Sequence, residues 1–150
     1  MIINEVTHAN PSQLRGMLEV AGHGASVVIA NPWGITCNGC GFINTPYASL
    51  TTGVPQFDAQ GHLTGYRVEK GNVTIEGSGL DAKSQDYLAI MTRALTVNAA
   101  IHAKDLQVVL GTNHVDVHTG KVSAITVPNP DKPQYALDVS QLGGMYANKT

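Results

Sequence analysis

The sequence predicts an all-β protein wound as a parallel β-helix, and three observations carry that expectation. Charged residues make up only 13% of the 150 residues while glycine occurs 16 times, a composition that fits short strands cut by frequent turns. Valine, isoleucine and threonine recur in the apolar stretches, where extended backbone suits them. In residues 88–92, 94–97, 100–103 and 106–110, strand-like segments follow one another with room for only a corner between them. Ordinary hairpins do not close so tightly each time, but a chain that turns a corner onto a new face does. A β-sandwich is the alternative, because no strict repeat is visible.

The elements follow in order. Ile2-Ile3 and Val6 open a short strand, Asn10-Pro11-Ser12 reads as a turn, and residues 16–21 alternate like a half-buried strand. After the Gly22-His23-Gly24 turn, residues 25–30 are an apolar run that reads as a buried strand. Asn31-Pro32-Trp33-Gly34 then has turn chemistry. The Asn side chain can bond backbone two residues on, and Pro supplies the fixed φ of the second position. Trp33 in third place favours type I, since type II needs a positive φ there.

Residues 48–53 form the next strand, Asp58-Ala59-Gln60-Gly61-His62 a hairpin loop, and residues 63–68 and 72–77 further strands. Residues 81–86 are polar and loop-like. Residues 87–95 have helix propensity, but Val97, Ile101, Leu106, Val108 and Val109 favour strands, and the whole segment is read as strands. Residues 114–118 and 122–127 flank Thr119-Gly120-Lys121 as a β-hairpin excursion. Pro128, Pro130 and Pro133 mark a loop, residues 136–139 re-enter the strand pattern, and the chain closes after Gly143-Gly144-Met145-Tyr146-Ala147.

The chain suits one domain in length. Its formal net charge of -2 leaves no basic footprint for nucleic acid and no polybasic segment for a membrane surface. The apolar runs are too short to span a bilayer as helices. Met1 to Thr7 show neither a charged start, nor a long apolar stretch, nor a cleavage site, so no signal peptide is visible.

Cys37 and Cys40 are the only cysteines. Three readings stand beside each other. A local disulfide suits an exported chain and, in so short a loop, adds about 2 kcal/mol by chain entropy. A reduced, inert pair is the second. A redox or metal pair is the third, although zinc would need two more ligands and a redox pair normally opens a helix. His114, Asp116 and His118 alternate and would share one strand face, the makings of an open two-histidine, one-carboxylate metal site. The competing reading is the solvent face of a hairpin, with Val115 and Val117 turned inward. No serine sits in a nucleophile elbow and no glycine-rich loop opens a helix, so neither an enzyme nor a cofactor is indicated.

Asn31-Pro32-Trp33-Gly34-Ile35-Thr36-Cys37-Asn38-Gly39-Cys40-Gly41-Phe42-Ile43-Asn44-Thr45 resembles the Asn-Pro-Asn-Gly-Ile motif and following Cys-x-x-Cys segment of the haemagglutination-activity domain of two-partner secreted proteins. Leu50-Thr51-Thr52-Gly53, Ile75-Glu76-Gly77-Ser78-Gly79-Leu80 and Asn98-Ala99-Ala100-Ile101-His102-Ala103 resemble family segments in the same order, and the likeness runs over about residues 3–147. Filamentous haemagglutinins, haemolysins and contact-dependent growth inhibition toxins belong to that family.

The resemblance implies a right-handed parallel β-helix without catalysis. It also implies recognition by the periplasmic domains of an outer-membrane two-partner secretion transporter, followed by export to the bacterial surface. Asn31, Pro32, Gly34 and Ile35 would form the recognition turn, with Trp33 standing where the family carries a second asparagine. Host or neighbouring-cell surfaces would be bound by regions downstream. Because the family domain usually begins further upstream, residues 1–150 are expected to be a partial β-helix domain, an internal fragment without its N-terminal coils. The parent protein would be secreted, and this piece made alone would stay in the cytoplasm.

Overall fold

The computed structural model describes residues 1–127, 136–139 and 144–149. Those residues contain no helix; their strands climb in coils around three faces. The first face stacks β1 (Ile2–Glu5), β4 (Val27–Ala30), β6 (Tyr47–Thr51), β10 (Tyr87–Thr92) and the far half of β12 (Ala100–Leu110), all parallel. The second stacks β2 (Ser12–Leu14), the first parts of β5 (Ile35–Ile43) and β9 (Asn72–Ala82), β11 (Ala94–Val97) and β15 (Leu137–Val139). The third stacks β3 (Met17–Glu19), the last parts of β5 and β9, the near half of β12 and β16 (Gly144–Lys149).

Alternation along each strand sends every second side chain to the axis. Parallel pairing in register then stacks like on like. Ile29, Leu50, Ile90 and Val108 form one such column, and Ile35, Val73 and Leu95 another. Leu80 meets Ile101 on the third face. These columns meet in one continuous hydrophobic core.

A second layer explains the apolar runs of the first face. Two excursions leave the corner between the first and second faces. One follows β6 and carries β7 (Val54–Phe57) and β8 (Leu63–Val68); the other follows β12 and carries β13 (Asn113–Asp116) and β14 (Val122–Ala124). They pair with each other as an antiparallel sheet, Tyr66 opposite Val115 and Val68 opposite Asn113. That sheet packs Tyr66, Val68 and Val115 onto Val28, Ala30, Ala89 and Met91, the outward residues of the first face. Strands covered on both sides read as unbroken apolar runs, as Val27-Val28-Ile29-Ala30 does.

Four local expectations are corrected. Ser12 opens β2 instead of closing a turn, because it pairs with Ile35 of the next coil. Residues 16–21 hold only the three-residue β3, exposed throughout, with Val20 buried just beyond it. β9 runs on to Ala82, into the expected loop, since its end pairs with β5 and β12. Residues 100–110 are one strand that serves two faces in succession, Ile101–Ala103 against β9 and Leu106–Leu110 against β10. Residues 87–92 are strand and not helix, held between β6 and β12. The proline loop at Pro128, Pro130 and Pro133 lies outside the described residues.

Candidate functional site

The Asn31-Pro32-Trp33-Gly34 turn joins the first face to the second. Gly34 N donates to Asn31 O at 3.1 Å, closing the turn. The Asn31 side chain does the rest. Its Oδ1 accepts from Trp33 N at 2.9 Å, and its Nδ2 donates to Asn10 O at 2.7 Å and to Ser12 Oγ at 2.9 Å. Its backbone N–H donates to Thr51 O at 2.9 Å. Asn31 is fully buried, and its polar groups are satisfied, as burial requires. Gly34 adopts φ 119°, open to glycine but strained for other residues. Ile35 turns into the core.

Equivalent corners of neighbouring coils use threonines. Thr51 Oγ1 donates to Met91 O at 2.7 Å and accepts from Gly53 N at 2.8 Å, and the Thr52 and Thr92 hydroxyls meet at 3.0 Å. A buried polar column thus runs beside the oily one. The first excursion returns against this corner. At Gly71, with φ 96°, a Cβ would stand 2.7 Å from Pro32 O. This close approach brings the preceding residue over the turn, with Lys70 Nζ 4.8 Å from the centre of the Trp33 ring.

Cys37 and Cys40 are joined in a disulfide with Cα atoms 5.4 Å apart. They flank the register shift at which β5 passes from the second face to the third. Both lie in the core, 0% and 3% exposed. With the sulfurs bonded to each other inside the coil, the pair offers neither metal-binding thiolates nor a helix-start redox site.

The metal reading of His114, Asp116 and His118 is also corrected. β13 ends at Asp116, so His118 is not on the strand but in the exposed turn beyond it. Asp116 Oδ1 accepts from Thr119 N at 2.9 Å and His118 N at 2.8 Å, and these bonds hold its carboxyl below the usual range. Among the described residues no cluster of three His, Cys, Asp or Glu side chains could hold a metal ion. Val117 is exposed, while Val115 is the valine that points inward.

Sequence reasoning missed two features. Lys70 lies 37 positions from Trp33, and no local pattern announces their contact. A groove of about 320 Å³ opens between the antiparallel sheet and the first face, walled by Tyr47, Tyr66 and Tyr87 among others. Burial pushes the Tyr66 phenol up to about 12.

Residues 1–150 match the family model described as the TPS secretion domain. The chain is 54% identical over 148 residues to the 16S rRNA endonuclease CdiA of Enterobacter cloacae, covering 99% of the chain and 4% of that protein. It is 53% identical over 148 residues to the tRNA nuclease CdiA of Escherichia coli O6:K15:H31, again covering 99% and 4%. The tRNA nuclease CdiA-2 of Burkholderia pseudomallei is 46% identical over 149 residues, at 99% and 5%. The chain therefore spans 4% to 5% of the length of these relatives. Among solved structures, the filamentous hemagglutinin secretion domain superposes with a TM-score of 0.89 at 37% identity, over 97% of this chain and 51% of that one.

Proposed function

Since the chain belongs to the TPS secretion domain family, we propose that it is the export-targeting region of a large surface protein. An outer-membrane partner transporter engages it in the periplasm and passes it to the outside. The observation that carries this reading is the fit of nearly the whole chain to the solved haemagglutinin secretion domain. The proposal places that engagement at the corner built by Asn31, Pro32, Gly34 and Ile35.

Folding supplies the direction. Each coil covers the apolar edge of its neighbour, so coils that form outside the cell disfavour return through the pore. The chain acts by being recognised and by folding, with no catalytic step. Effector activity and the target on a host or neighbouring cell belong to other regions of the parent protein.

The test places the chain behind a cleavable export signal, in cells with and without a two-partner secretion transporter. The expected outcome is release into the medium only when the transporter is present. Equal release without it, or retention in the periplasm with it, overturns the proposal.

A further inference from the structure

Three of the four turn residues assigned to recognition are out of reach of a partner. Asn31 and Ile35 are 0% and 1% exposed, and Gly34 is buried. The Asn31 amide is already spent on Trp33, Asn10 and Ser12. What the turn leaves accessible is Pro32 and Trp33.

Beside them stands the returning arm of the first excursion. A cleft of about 180 Å³ separates the two, lined by Pro32, Val54, Gln56, Arg67, Glu69 and Lys70 among others. Arg67 is neutralised by Glu69. Lys70 is exposed over the Trp33 ring, and no ion pair to it is found among the described residues. The neighbouring strand edge is guarded. β7 carries Pro55, which has no N–H to offer, and Gln56 Nε2 donates to Val54 O at 3.2 Å and Pro55 O at 3.4 Å. Both devices discourage strand addition there.

We infer that the transporter reads this chain at the Pro32–Lys70 cleft and the Trp33 ring beside it, through side chains instead of an added strand. The periplasmic segment that docks there carries an aspartate or glutamate that meets the Lys70 ammonium, beside an apolar side chain that packs on Pro32 and Trp33. Charge complementarity selects this occupant: the cleft presents an apolar wall and one cation without a counter-charge. Asn31 is then a positioning residue, which holds Pro32 and Trp33 in place without being touched. The inference rests on the proposed transporter partnership.

The experiment titrates the purified chain with the soluble periplasmic region of the transporter, by calorimetry at two salt concentrations. Trp33→Ala and Lys70→Glu should each weaken binding by roughly tenfold or more. Lys70→Gln should weaken it less and flatten its salt dependence. Lys83→Glu, on another face, should leave binding unchanged. Circular dichroism shows whether each variant is folded. If Trp33→Ala and Lys70→Glu fold and bind like the wild type, this inference falls and the partnership stands. If the wild-type chain itself does not bind, both fall.

Discussion

Asn31 and Ser12 lie on successive coils, and the Asn31 amide ties them together, donating to the Ser12 hydroxyl at 2.9 Å. One side chain therefore shapes its own turn and fastens it to the coil beneath. The resemblance marks this asparagine as a recognition residue, and the geometry gives it an architectural task.

Asn31→Ala removes three hydrogen bonds and leaves Trp33 N and Asn10 O without their partner in a half-buried corner. A stranded buried polar group costs about 1–3 kcal/mol, and with these partners half-buried the variant should lose about 1–2 kcal/mol. Asn31→Asp should not rescue it, because the carboxylate restores the bond from Trp33 N but turns an acceptor toward Asn10 O. Urea denaturation measures both; a loss below about 1 kcal/mol would contradict the assignment.

The Cys37–Cys40 bridge should resist reductant while the chain is folded. Both sulfurs are inside the core, so a reducing thiolate meets them only after local opening. Thiol alkylation and mass spectrometry should find no free cysteine in native conditions and two in denaturant. Rapid native reduction would show that the corner opens freely. The Cys37→Ala, Cys40→Ala double variant should lose at least about 2 kcal/mol, the entropic term for so short a loop.

What was legible in the sequence divides along a physical line. The turn could be read because Asn31, Pro32 and Gly34 each act within a few residues of themselves. The crowding of residues 87–110 excluded hairpins by length alone. β2 was not legible, and β3 only as a longer, half-buried strand, because their partners Ile35 and Gly41 belong to the next coil. The extent of the antiparallel sheet was hidden for the same reason, since Tyr66 and Val115 meet across an intervening coil. His118 was misplaced because alternation cannot see that Asp116 folds back to cap the turn and ends the strand.

Alkaline stability should report on Tyr66. Its phenol rises from 10.0 to about 12 through burial alone. The folded state thus favours the neutral form. That contribution is whole below pH 10 and fades as the pH climbs toward 12, by about 3 kcal/mol in all. Tyr87 moves in the same direction, through burial first and Asp105 second. Tyr66→Phe should flatten the alkaline loss in denaturation curves taken between pH 9 and about 12. An unchanged slope would place the loss elsewhere.

The two excursions should come away from the coil before the coil itself unfolds. Val115 is 5% exposed and sits with Tyr66 and Val68 on Val28, Ala30, Ala89 and Met91, in a cluster distinct from the axial core. Val115→Asp puts a carboxylate into that cluster, where an unpaired charge costs several kcal/mol. The axial columns, such as Ile29, Leu50, Ile90 and Val108, touch none of it directly through Val115 and keep their register. The variant should therefore retain its far-ultraviolet β signal while it binds more of a hydrophobic dye, because the outward residues of the first face become bare. The Tyr66 phenol should also fall back toward its ordinary range, since burial is what raises it. Loss of the β signal in the same step as the dye response would mean that sheet and coil form one cooperative unit.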